Sequence, residues 1–179
     1  MRYSPEHKAQ TREKLLTNSA ALAKQGGFAT TGVDALMKAI GLSGGAFYAH
    51  FASKEALFKE IVSRELKMSL ARMQCDNTEQ LTQRLAEYLS LEHVANVEGG
   101  CPLPALGDEI IRAGDDCRRH VQQGLNAWHE NWAEVVGDEN AWAVISQCVG
   151  ALVLARMFDQ TDTQKHILDA SKALLNTIT

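Results

Sequence analysis

Between residues 30 and 54 the chain gathers side chains of the kinds that hold a polyanion. Thr30 and Thr31 offer hydroxyls and Lys54 an ammonium group, and all three fall near predicted helix starts. Backbone amides point outward there, so the combination suits a phosphate clamp. Ser43, Gly44, Gly45, Tyr48 and His50 share one short segment. Its side chains are small enough to enter a DNA major groove, and Tyr48 and His50 add polar tips. A predicted helix over Val33 to Ile40 precedes it, and Gly41-Leu42-Ser43 makes the turn, which is helix-turn-helix spacing. Leu36, Ile40, Leu42 and Phe47 are placed to fill the angle between the two helices. Tyr48 and Phe51 also admit a reading as plain core aromatics, and His50 and Lys54 as solvated surface groups.

Elsewhere the chemistry is sparser. Cys101 follows Gly99-Gly100 and precedes Pro102, which sets it at a predicted helix N-terminus, where the dipole favours thiolate. Electrophile or oxidant sensing and a buried cap residue are both open readings of it. Trp128 and Trp132 lie about one turn apart on a common face. Enzyme patterns are missing. His129-Glu130 lacks the second histidine of a zinc helix, and Gly44-Gly45 precedes no Lys-Ser/Thr of a phosphate loop. Asp108-Glu109 and Asp115-Asp116 are adjacent carboxylates, which diverge on a helix and read as solvated faces. Cys75, Cys101, Cys117 and Cys148 show no Cys-x-x-Cys pairing and no histidine at zinc-finger spacing, so free thiols in a reducing compartment are expected. No catalytic residue, metal or cofactor is implied.

The elements that must carry these residues are helices. At 179 residues, with 45% hydrophobic and 22% charged positions, usage is that of a globular chain able to bury a core without staples, which excludes disorder as an overall description. The longest apolar run, Cys148 to Ala155, is too short to span a bilayer, and the polar N-terminus lacks the apolar stretch of a secretory signal, so a cytoplasmic protein without membrane contact is expected. Charge divides unevenly. Residues 1–67 hold ten Lys/Arg against six Asp/Glu, whereas residues 68–179 hold eight against sixteen. A basic N-terminal third on an acidic body suggests a polyanion-facing end. No alternating strand pattern stands out, and about nine helices are predicted. They run over Pro5 to Gln25 (Ser4 as N-cap), Val33 to Ile40 (Thr31 as cap), Ser43 to Phe51 and Ser53 to Met73. The remainder are Asn77 to Val97, Pro102 to Ala113, Asp115 to Val136, Asn140 to Phe158 and Thr163 to Ile178.

Residues 28–58 resemble the DNA-binding domain of the TetR family of bacterial transcriptional regulators. The likeness rests on Gly27-Phe28, Thr31-Gly32-Val33, Gly41-Leu42-Ser43 and the run Phe47-Tyr48-Ala49-His50-Phe51-Ala52-Ser53-Lys54-Glu55-Ala56-Leu57-Phe58. Gly100-Cys101-Pro102-Leu103 and the stretch from Gly150 to Arg156 resemble the regulatory half of some members. Three positions depart from the pattern: Gly44 for a frequent Lys or Arg, Gly32 for a frequent Ser or Thr, and Met37 for a usually small residue.

The resemblance implies an all-α fold with a helix-turn-helix DNA-binding domain at 1–52, a connecting helix at 53–67 and an effector-binding and dimerisation domain at 68–179. It implies backbone contacts from Thr31, Tyr48, His50 and Lys54, and base reading by Ser43, Gly44 and Gly45. It implies a homodimer through the last two helices, reading a palindromic operator in double-stranded DNA with recognition elements roughly 34–36 Å apart. The apolar make-up of residues 140–158 permits that bundle. It also implies a small-molecule effector, aromatic or electrophilic. Candidate residues for that site are Met73, Tyr88, Cys101, His120, Trp128, Trp132 and Phe158, each of which also reads as ordinary core. The function implied is that of a repressor released from DNA by its effector. The alternative is a helical ligand-binding or interaction protein that no longer binds DNA specifically, suggested by the missing basic residue at position 44.

Overall fold

In the computed structural model, which describes residues 5–178, ten helical elements and no strands are found among the described residues. Helix α1 covers Pro5–Gly26 and α2 Val33–Ala39. A 3-10 helix, Gly44–Ala49, follows, then α3, Lys54–Met73. The body holds α4 (Thr78–Tyr88), α5 (Leu91–Ala95), α6 (Pro102–Arg112), α7 (Asp115–Val136), α8 (Asp138–Ala155) and α9 (Thr161–Leu175). Ser4, expected to cap α1, lies outside the described residues.

The expected boundaries shift where side chains compete for the backbone. The helix predicted over Asn77 to Val97 is two helices. Ser90 accepts from the His93 amide at 3.1 Å and donates to the Glu87 carbonyl at 2.8 Å, so it ends one helix and starts the next. The Ser43–Phe51 helix is a 3-10 turn, six residues long and tighter than α. Thr31 does not cap α2. Gly32 is the N-cap residue and supplies no side-chain bond, while the Thr31 hydroxyl turns back to the Gly27 carbonyl at 2.9 Å. Helix α8 stops at Ala155, which leaves Phe158 in an exposed connection. Ser53 does cap α3, accepting from the Ala56 amide.

Two apolar cores hold the chain. The first joins Leu15, Leu36, Met37, Phe47 and Leu57 and continues onto Leu106 and Ile110 of α6 and Cys117 and Val121 of α7. The second lies within α4 to α9 around Leu85, Trp132, Val144 and Leu152. Leu70, Leu103 and Leu125 pack against both. The N-terminal helices therefore share a continuous apolar seam with α6 and α7. Helix α3 runs along α7 and packs closely at Gly124, where a Cβ would come within 2.7 Å of the Leu66 side chain. Among the described residues no helix is long and apolar enough to cross a membrane.

Candidate functional site

The helix-turn-helix is a buried frame carrying an exposed edge. Leu36, Met37 and Phe47 are fully buried, and Phe47 stacks near Phe51 at 5.8 Å. Burying an aromatic of this size stabilises by about 1.5–3 kcal/mol. Phe51 is core, and the bulk of Met37 is absorbed inside the frame. Gly41 makes the turn with φ +76°, a conformation that favours glycine, and the Leu42 amide closes back on the Met37 carbonyl. On the other side the chain turns its polar groups out. Tyr48 is 69% exposed, and its ring leans edge-on against Phe47, which fixes its direction. Ser43 and Gly45 are exposed beside it.

Gly44 has a local cause. A Cβ at this position would lie 1.8 Å from a carboxylate oxygen of Asp34 on α2. The acid fills the space that a longer side chain would need.

The other candidates are anchored more than they are free. Thr30, exposed, donates to the Gly26 carbonyl at 3.1 Å, so its hydroxyl closes the α1–α2 loop. Lys54 donates to the Ala29 carbonyl at 2.9 Å and sits over the Phe28 ring. His50 is half-buried with Nδ1 unpartnered. Burial, and then the charges of Lys8, Arg12 and His7 on α1, hold its pKa below the ordinary histidine value. Those α1 residues form a basic rim beside the recognition element, which spacing within residues 28–58 does not reveal. Arg12 is paired with Glu60 and lies over Phe51, while His7 and Lys8 are exposed.

The loop behind this edge is gripped by the body. The Phe28 amide donates to both carboxylate oxygens of Glu109 on α6, at 2.8 and 3.0 Å. Gly27 has φ +83°, and a Cβ there would also meet Glu109 at 2.9 Å. Glu109, read from sequence as a solvated carboxylate, is a structural tie between the two halves.

The candidate effector residues do not converge. Met73, Tyr88 and Cys101 line one cavity of about 370 Å³, together with Ser69, Arg72 and His93. His120 and Trp128 line a separate groove between α3 and α7. Trp132 lines no described cavity. It is fully buried and donates to the Met73 carbonyl at 3.0 Å, which makes it core. Phe158 faces outward. The gathered cavity is more polar than an aromatic box. Tyr88 is buried with its hydroxyl near Cys101, and burial raises its pKa well above the ordinary phenol value. Cys101 is the buried N-cap residue of α6 and makes no cap bond. His93 and Arg72 were not singled out from sequence; they meet Gly100 because the Ser90 break folds α5 back over the loop before α6.

An exposed edge on a three-helix frame, seated on a helical body with its own polar cavity, is a helix-turn-helix arrangement. Residues 15–61 match the family described as bacterial regulatory proteins, tetR family. The match covers the helix-turn-helix and its flanking helices, about a quarter of the chain. The chain is 36% identical over 64 residues to the uncharacterized HTH-type transcriptional regulator YerO of Bacillus subtilis, covering 36% of this chain and 22% of YerO. It is 34% identical over 62 residues to the HTH-type transcriptional regulator UidR of Escherichia coli, covering 35% and 32%. The chain thus spans less than a third of the length of the curated relatives it matches. Whole-chain similarity is found in solved structures. A TetR transcriptional regulator from Chloroflexus aurantiacus superposes with a TM-score of 0.77 at 23% identity, covering 96% of this chain and 95% of that one. The reduced form of E. coli NemR gives 0.77 at 23% identity, covering 94% and 96%. At that identity the likeness is one of fold. YerO, UidR and the Chloroflexus protein are described as transcriptional regulators.

Proposed function

We propose that the protein is a sequence-specific DNA-binding repressor that acts as a homodimer on a palindromic operator and is released by a small-molecule effector. The observation that carries this reading is the Ser43–Tyr48 edge, held outward by a fully buried Phe47. An exposed phenol on a rigid frame is placed to meet a phosphate or base edge. Thr31, His50 and Lys54 flank it, and Lys8 extends the positive rim.

Dimerisation is supported by an outward stripe on the last long helices. Trp142, Gly150, Leu154 and Met157 on or just after α8 align at helical spacing, and Leu174 is exposed on α9. Pairing two such faces about a two-fold axis makes a four-helix bundle. Effector binding is assigned to the 370 Å³ cavity at Tyr88, His93 and Cys101. Its polar walls suit a small molecule carrying a hydrogen-bond acceptor, and the buried Cys101 forms part of the wall. The effector must bind more tightly to the DNA-free arrangement for release to follow.

One observation favours the alternative of a ligand-binding protein without specific DNA binding: the Asp34 carboxylate lies beside the reading edge at Gly44. Fluorescence anisotropy against the DNA upstream of its own gene, with scrambled DNA as control and over a salt series, tests the choice. Selective binding that falls steeply with salt is the expected result. Weak, equal binding to both, with no sequence enriched from a random DNA pool, would establish the alternative.

A further inference from the structure

The Gly100–Cys101 peptide is held from both of its polar ends by different parts of the molecule. Its carbonyl accepts from Lys24 Nζ of α1 at 3.2 Å, and its N–H donates to His93 Nε2 of α5 at 3.1 Å. His93 also places Nδ1 at 2.8 Å from the Tyr88 carbonyl. A carbonyl can only accept, so Nδ1 carries the proton and Nε2 is the lone-pair side, which fixes the neutral ring in one tautomer. Lys24 is fully buried, and its second partner is Glu65 of α3 at 2.7 Å. A buried ammonium cannot replace a lost carbonyl with bulk water, so it must follow that carbonyl or leave a donor unmet. Gly100 has no freedom to slide: a Cβ there would lie 2.7 Å from His93 Nε2 and 2.8 Å from the Asn96 carbonyl.

We propose that this peptide is a latch that couples the Tyr88–Cys101 cavity to the end of α1, so that loss of the His93 acceptor also loosens the seat of the DNA-binding domain. The inference rests on reading that cavity as the effector site, since His93 and Gly100 line it. An occupant that draws His93 Nε2 away from the peptide would open the latch. A proton does the same without any ligand, because a doubly protonated ring presents an N–H to the Cys101 N–H.

The groups facing His93 are Tyr88 of α4, edge-on at 4.6 Å, Cys101 at the head of α6, Arg72 of α3, Lys24 of α1 and Arg156 after α8. Arg156 donates to the carbonyls of His93 and Val94, and Arg72 to that of Gly99. Glu87 and Glu92 share the cavity wall. Burial and the three cations hold the His93 pKa below the ordinary histidine value.

Hydrogen exchange of the full-length protein, read per amide and corrected for intrinsic rates from about pH 7.5 to 5, tests this with the proton as the only probe. Protection of the Cys101 and Gly27 amides is expected to fall together by about three- to tenfold, the value of one net hydrogen bond. His93→Gln, which keeps an acceptor that does not titrate, is expected to flatten both changes. Lys24→Met is expected to uncouple them, with Cys101 still responding and Gly27 no longer following. Loss of protection at Cys101 alone in the wild type, no change at either amide, or an unaltered response in His93→Gln would each overturn the latch. DNA affinity is measured apart from this. Coupled exchange in a chain without selective DNA binding would refute the proposed function and leave the latch standing.

Discussion

Around Tyr48 the chain places its polar groups at the surface and its apolar groups directly behind them. Around Tyr88 it does the opposite. The first tyrosine is 69% exposed and braced by one neighbour, Phe47; the second is buried among α4, α5 and α6, with its hydroxyl covered. The first arrangement is open to a partner too large to be enclosed, and its exposed groups come from one short segment. The second can enclose a small molecule, so its walls come from α3, α4, α5 and the loop before α6. An edge depends on the stiffness of its frame, and a cavity on the way its pieces are tied together.

The sharpest way to break that comparison is to remove the brace. Phe47→Ala should destabilise the protein by about 3–5 kcal/mol, read as a shift in the denaturant midpoint. A loss under 1 kcal/mol would mean that the edge does not rest on this ring. Gly100→Ala tests the cavity in the same terms. Its added methyl meets His93 and the Asn96 carbonyl, and a loss of about 1–3 kcal/mol is expected. A neutral result would show that the loop has slack. Tyr48→Phe should leave stability unchanged while weakening binding to a selected operator by about three- to tenfold, the worth of one hydroxyl contact. Unchanged affinity would remove the hydroxyl from the reading edge.

The smallest effect expected is in pH. His93 and His50 both have pKa values lowered chiefly by burial, so the unfolded chain takes up more protons as pH falls. Their contribution is complete above the ordinary histidine value near 6.5 and is lost as pH drops through the folded-state values. His93→Gln should remove more of this slope than His50→Gln, because both ring nitrogens of His93 are engaged and Nδ1 of His50 is not. The reverse order would place the titrating strain at the edge.

The same contrast explains what could be read from sequence. The edge was legible because its residues are contiguous: Gly41, Phe47, Tyr48 and Ser53 each act on neighbours within a few positions. The overall run of helices was legible for the same reason. The cavity was not. Trp128 and Trp132 share a helix face, as spacing requires, yet one borders a groove and the other is core, because face-sharing says nothing of what lies opposite. His93 entered the site through a break at Ser90 that competes locally with a helical pattern continuous on both sides. Thr31 has the residue type of a cap, but α2 starts one position later, with Gly32 as its N-cap, and the Thr31 hydroxyl donates to Gly27 instead.

The Glu109 contact bears on how such a chain can be recombined. The curated relatives match only over 62 to 64 residues, so the reading head is the portable part of the sequence. It is not a portable part of the structure, because its first turn after α1 is finished by a carboxylate from α6 and its core runs on into Leu106 and Cys117. A chimera that grafts residues 1–52 onto a foreign body inherits an unfilled socket at Phe28 unless an acid arrives from the host at the place of Glu109. Which foreign bodies can accept this head is therefore governed at the seam, by a handful of positions away from the exposed edge.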